Sequence, residues 1–281
     1  MSGYKRNHRE LSQIRTLEIN PNFQPNNQSS CIVKLGNTHV CCSAIIEDRV
    51  PGFLRNSGKG WLTAEYGMLP SSTNERMDRE AAKGKQSGRT QEIQRLIGRS
   101  LRCAVNLDIL GERTIKIDCD VISADGGTRT ASIIGGYVSL VRAINHHKKN
   151  YNLTKAIVVN QVAAISVGVV NGTACIDLDY IEDSGAEVDC NVVMAGDGQF
   201  IEFQSTGEEA KFSKQTMLDF IELVEKSMPE IFKAQKEILE LKKEDMTSLE
   251  SYIKEYYQQI LKRLREMEAD LNIEEKKRLP F

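Results

Sequence analysis

The sequence contains no uninterrupted apolar run approaching the ~18 to 20 residues that a membrane span requires. Met1 to Ile19 alternates charges with small polar groups and supplies no apolar signal core. A membrane or secreted protein is therefore not expected, and a cytoplasmic one is. There is also no CxxC pair: the seven cysteines, an odd number, are scattered through apolar segments, which excludes a zinc ribbon, a thioredoxin-like motif and a disulfide framework and leaves reduced core thiols. The four histidines form no ligand set, and two of them, His146 and His147, are adjacent at the end of a helical pattern, where cations suit the local dipole. Net charge is nearly absent too. Lys plus Arg number 37 against 39 Asp plus Glu, a formal −2 that by itself calls for no polyanionic partner, although an average conceals patches. What is present is 281 residues, 40% of them hydrophobic and 27% charged, an ordinary soluble composition long enough to bury a core without staples.

Two alternating apolar runs, Ser30 to Leu35 and Thr38 to Ile46, flank Gly36-Asn37 and read as a β-hairpin. A glycine and arginine loop follows, then a strand from Trp61 to Met68 and a polar connection from Pro70 to Lys85. From Arg89 to Asn106 the apolar residues Ile93, Leu96, Ile97, Leu101 and Ala104 recur at helical spacing, with Arg95, Arg99 and Arg102 on the other face. Arg113 to Val121 alternates strictly as a strand. Asp125-Gly126-Gly127-Thr128 opens a long apolar helix to about His147. Strands return at Val162 to Val170, Thr173 to Leu178, Val188 to Ala195 and Phe200 to Gln204, and a helix from Ser213 to about Leu241 is expected to kink or break near Pro229. The order is that of an α+β protein. The last forty residues differ: Leu249, Ile253, Tyr256, Ile260, Leu264, Met267 and Leu271 repeat at steps of four or three, an amphipathic helix that suits either a partner or its own domain.

Sorting charge by position changes the picture. Arg49 to Arg102 carries eleven basic and five acidic residues, so this segment stands at +6 and the remainder at −8. Such a segment reads as a phosphate-tracking surface, or more plainly as solvated helix faces with internal ion pairs. Within it, Gly84 to Thr90 is not a P-loop, because its glycines are one residue too close and Arg89 stands where lysine is needed. It does place Arg89 in the first turn of a helix, where a planar guanidinium can grip a phosphate with two hydrogen bonds. Gly126-Gly127-Thr128-Arg129 is a second candidate, a glycine turn after a strand and at a helix N-terminus whose free N–H groups suit an anion, or an ordinary turn with an N-cap. The third feature, Glu182 to Asp189, holds four carboxylates in eight residues. Asp183 and Asp189 suit Mg²⁺, a hard cation that takes oxygen ligands, or belong to a solvated acidic turn.

Three longer blocks are more specific. Gly60-Trp61-Leu62-Thr63-Ala64-Glu65-Tyr66-Gly67-Met68-Leu69-Pro70, then Gly88-Arg89-Thr90-Gln91-Glu92-Ile93-Gln94-Arg95-Leu96-Ile97-Gly98-Arg99, then Ile117-Asp118-Cys119-Asp120-Val121 running into Ala124 to Thr130, closely resemble the bacterial ribonuclease PH family over roughly residues 5 to 240. The resemblance implies an α+β fold of the ribosomal protein S5 domain 2 type, with mixed sheets packed against helices. It implies a homohexameric ring built as a trimer of dimers, and phosphate-dependent, reversible 3′ to 5′ trimming of precursor transfer RNA and other RNA 3′ ends, not DNA, with release of nucleoside diphosphates. Inorganic phosphate would be co-substrate, bound by Arg89, Gly127, Thr128 and Arg129. Asp183 and Asp189 would be the metal or general-acid pair, with Mg²⁺ as cofactor, and Arg76 and Arg79 would contact RNA. The chain departs from the family pattern after Leu69-Pro70, where Ser71 replaces an arginine and Glu75 adds an acid. Residues 1–241 are thus expected to form the catalytic domain and 242–281 an amphipathic helical extension. The alternative is a catalytically silent RNA-binding subunit of an exosome-like ring.

Overall fold

The structure, a computed structural model, describes residues 6, 9–148, 156–208 and 211–239. The C-terminal amphipathic stripe expected over 242–281 lies outside them. The first sheet consists of β1 (Leu17–Pro21), β2 (Cys31–Leu35), β3 (Thr38–Glu47), β4 (Trp61–Met68) and β5 (Thr114–Ser123), in the spatial order β1-β2-β3-β5-β4. Only the β4–β5 pair is parallel. A parallel pair needs a crossover between its strands, and the chain between β4 and β5 provides it as α1 (Glu80–Lys83), α2 (Gly88–Arg102) and α3 (Leu107–Leu110). The second sheet, entirely antiparallel, has β6 (Val162–Val170), β7 (Thr173–Ile176), β8 (Val188–Ala195) and β9 (Phe200–Gly207) in the order β7-β6-β8-β9.

Between the sheets runs α4 (Thr128–His147), which packs on β2, β3 and β5 of one and β6 of the other. From Thr128 to Ile144 every residue except Arg129 and Arg142 is buried, as expected of a helix enclosed on all sides. Gly135 permits the close approach, since a Cβ there would stand 2.6 Å from the Cys42 sulfur. A short helix, α5 (Tyr180–Ser184), precedes β8, and α6 (Lys214–Leu239) closes the fold by burying Phe220, Val224, Met228 and Ile231. Gln235, also buried on α6, is fully engaged: its Nε2 donates to the carbonyls of Ile134 (3.2 Å) and Val162 (3.0 Å), and its Oε1 accepts from Gln161 (2.9 Å). Among the described residues no helix is long and apolar enough to cross a membrane.

The structure differs from the sequence reading in five places. A strand, β1, lies in the N-terminal stretch, where the sequence pattern suggests no element. The α2 helix stops at Arg102, not Asn106, and α6 continues through Pro229, which sits on an exposed face where the carbonyl it frees can bond water. Of the seven cysteines, all free, Cys103 is exposed and only the other six are buried. Lastly, the acidic segment before β8 is a helix over Tyr180–Ser184 and not merely a turn.

Candidate active site

A cavity of about 770 Å³ opens where the two sheets meet, lined by the ends of β4, α2, α4, α5 and β8 and by the loop after β4. Arg89 comes from the first turn of α2. The helix is capped by Ser87, whose hydroxyl accepts from the Thr90 N–H (3.1 Å), while Glu80 accepts from the Ser87 N–H (3.1 Å) and the Thr90 hydroxyl (2.8 Å). A start fastened at three points leaves Arg89, which is exposed, turned into the cavity.

Gly126 and Gly127 follow β5 and both adopt left-handed backbone, φ 72° and 67°. Gly126 has no alternative, since a Cβ would lie 2.4 Å from the Leu178 carbonyl oxygen. Gly127 is the N-cap of α4 and offers no side chain to the helix start. With no side chain capping it, the first N–H groups of this 20-residue helix are open to a ligand. Thr128 is oriented by Tyr66, whose phenolic oxygen lies 2.9 Å from Oγ1 in a buried contact. Tyr66 and Ser166, which also lines the cavity, were not singled out in the sequence, where both look like ordinary strand residues.

The carboxylates line the same cavity. Asp183 sits at the end of α5, which is held by a capping box between Asp179 and Glu182. Asp189 is the second residue of β8. Burial raises both carboxyls above the ordinary range. For Asp189, burial together with repulsion from Asp183 takes it to about 6, against the downward pull of Arg129 and Arg89. Asp189 Oδ1 is buried without a hydrogen-bond partner, and Oδ2 has only a 3.4 Å contact from Asn191. An orphaned buried carboxylate oxygen beside a second carboxylate fits an oxygen-seeking cation such as Mg²⁺. Among the described residues no third Asp, Glu, His or Cys completes a ligand cluster, so other positions would fall to phosphate oxygens and water.

The structure thus brings Arg89, Gly127, Thr128, Arg129, Asp183 and Asp189 to one cavity. It leaves Arg76 and Arg79 outside the lining, exposed on the loop after β4, while Lys83, Lys85 and Asp78 from the same stretch face in. Part of the +6 segment is spent internally. Arg99 pairs with Glu202, Lys59 with Asp108 (3.3 Å), Lys83 with Asp78 (3.1 Å) and Arg76 with the same Asp78 (3.8 Å). Arg102 lies 4.2 Å over the Trp61 ring. The basic surface at the cavity is accordingly narrower than the charge count suggests.

Models of the 3′ exoribonuclease family match the chain in two parts, domain 1 over residues 13–144 and domain 2 over 160–227. Ribonuclease PH of Corynebacterium kroppenstedtii is 52% identical over 231 residues, covering 82% of this chain and 91% of that protein. The chain belongs to the ribonuclease PH family. Solved structures with the same fold include rice (Oryza sativa) Rrp46, with a TM-score of 0.67, 17% identity and coverage of 83% of this chain and 98% of that one. The Archaeoglobus fulgidus exosome with RNA bound to the active site also matches, with a TM-score of 0.67, 17% identity and coverage of 82% and 90%. In ribonuclease PH terms, the boundary between the two family domains falls between α4 and β6, so the cavity is lined from both.

Proposed function

We propose that the protein is a phosphorolytic 3′ to 5′ exoribonuclease that trims precursor transfer RNA and other RNA 3′ ends. The observation that carries this reading is the convergence of two arginine-bearing helix starts and a carboxylate pair on one cavity. Arg89, Arg129, the Thr128 hydroxyl and the N–H groups after Gly127 hold inorganic phosphate, with no base required, because phosphate is already a nucleophile at neutral pH. One of its oxygens bonds to the terminal phosphorus, and the bond from that phosphorus to the 3′ oxygen of the preceding nucleotide breaks. The arginines stabilise charge on the transferred phosphoryl group. The departing 3′ oxygen is either protonated by a carboxyl of the Asp183–Asp189 pair or stabilised by the cation that the pair would hold. Asp183 and Asp189 would also hold Mg²⁺, which when bound neutralises phosphate oxygens. The products are a nucleoside 5′-diphosphate and an RNA shorter by one residue. A phosphodiester has been exchanged for a phosphoanhydride, so nucleotide addition runs in reverse.

In this reading residues 1–241 are the catalytic domain and 242–281 an extension, Arg76 and Arg79 guide RNA at the rim, and the enzyme works in the cytoplasm as a hexameric trimer of dimers. The catalytically silent alternative has no observation in its favour, since every group the chemistry needs faces the cavity. Replacement Arg129→Ala tests the assignment. Turnover at saturating RNA should require at least tenfold more phosphate, or cease, while RNA binding stays within about twofold; unchanged phosphate dependence removes Arg129 from the site.

A further inference from the structure

Beneath the phosphate loop lies a buried ion-pair cluster that the reaction does not use directly. Asp177, fully buried, precedes α5 and has φ 54°, a left-handed conformation that few residues other than glycine, asparagine and aspartate adopt. Its Oδ1 accepts from Arg15 Nη2 (2.8 Å), and its Oδ2 from Arg15 Nε (3.0 Å), the Arg15 backbone N–H (2.6 Å) and Arg9 Nη1 (3.1 Å). Arg15 spends its other hydrogen bonds on carbonyl oxygens: Asp125, Gly126 (3.4 Å) and Leu178 (3.3 Å). Thr38 Oγ1 donates to the same Gly126 oxygen (2.6 Å) and accepts from the Asp125 N–H (2.9 Å).

These contacts fix a direction. In a planar trans peptide the carbonyl of one residue and the N–H of the next point opposite ways. With the Asp125 and Gly126 oxygens gripped from below by Arg15 and Thr38, the N–H groups of Gly126 and Gly127 are turned the other way, and both glycines line the cavity. Through Asp177 and the Leu178 carbonyl the same guanidinium holds the segment entering α5, which carries Asp183. Arg9 and Arg6 extend the hold, since both pair with Glu182, the residue beside Asp183.

We propose that Arg15 and Asp177 are positioning residues: their buried pair sets the aim of the Gly126 and Gly127 N–H groups that open the phosphate-binding turn, and ties that loop to the helix bearing Asp183. Neither touches substrate. The inference rests on the phosphorolytic reading, and its test separates the two. Steady-state phosphorolysis of an RNA with a single-stranded 3′ end is measured against phosphate concentration for the full-length wild type and for Arg15→Lys. Lysine keeps the charge but cannot bridge three carbonyls and a carboxylate with one planar fork. If Arg15→Lys does not fold, as judged by melting and mass, Thr38→Val releases the Gly126 carbonyl from the other side. The folded variant should show KM for phosphate raised about tenfold or more, a smaller fall in kcat and RNA affinity within about twofold. A folded variant with wild-type KM for phosphate overturns the inference, as does a fall in kcat alone. Turnover by the wild type without phosphate would instead overturn the reading beneath it.

Discussion

Replacing Asp189 with asparagine should make the protein more stable and, at the same time, inactive. Burial and the neighbouring Asp183 raise the Asp189 carboxyl from 3.8 to about 6 in the folded chain. A carboxyl whose pKa is higher folded than unfolded holds its proton longer in the native state, so stability falls as pH rises between about 4 and 6, and the whole penalty is present above that window. Each tenfold step is worth ~1.4 kcal/mol, which puts the cost of ionising this group at roughly 3 kcal/mol at pH 7.5. Asparagine escapes the charge but must bury an amide next to an oxygen site that has no partner now, which returns about 1 kcal/mol of the gain. The expected net is about 2 kcal/mol, or ~4 to 8 °C in melting temperature for a domain of this size. Thermal unfolding in EDTA at pH 7.5 and at pH 4.5 is the assay, and the difference from wild type should shrink at the lower pH. Adding Mg²⁺ should raise the wild-type melting temperature and leave Asp189→Asn nearly unmoved, because ligand binding stabilises only the chain that holds the ligand. A variant no more stable than wild type at pH 7.5, or a gain of equal size at both pH values, would refute the argument that this carboxylate is strained by burial.

Two further predictions concern the cavity wall and the exposed loop beside it. Tyr66→Phe removes the hydroxyl that contacts Thr128 at 2.9 Å and should cost about 1 kcal/mol in unfolding free energy, with a rise in KM for phosphate of a few fold; chemical denaturation alongside phosphate titration checks both. Arg76→Ala combined with Arg79→Ala should weaken RNA binding alike for all sequences and flatten the dependence of log affinity on log salt by about 0.7 per lost contact, with kcat at saturating RNA unchanged; a salt titration that keeps the wild-type slope would place the RNA path elsewhere.

Periodicity made much of this fold legible. The strict alternation of Ile115, Ile117, Cys119 and Val121 against Lys116, Asp118 and Asp120 belongs to a strand buried on one face, and β5 is that strand. Tight turns marked the other strands, and Trp61 to Met68 was bounded correctly because Gly60 and Pro70 bracket it. The β1 strand escaped because an edge strand of five residues ending in proline carries too little pattern of its own, and its order comes from pairing with β2. The missed α5 helix did leave a signal. Asp179 and Glu182 are spaced as a capping box, but the helix is a single turn followed at once by Gly185. At the site, residue types and spacings gave Arg89, the Gly127-Thr128-Arg129 turn and the aspartates, because anion and cation binding demand those groups. Their convergence was not legible, nor was the Arg15–Asp177 pair beneath them, whose partners lie 162 residues apart in sequence. Such contacts depend on how the two sheets close around α4.

The central claim, that inorganic phosphate and not water cleaves the chain, is tested most directly by the identity of the released nucleotide. RNA with a single-stranded 3′ end, incubated with the full-length protein, Mg²⁺ and isotopically labelled phosphate, should yield nucleoside 5′-diphosphates with the label in the β position, and release should stop when phosphate is withheld. Nucleoside monophosphates formed at the same rate without phosphate, or diphosphates carrying no label, would contradict it.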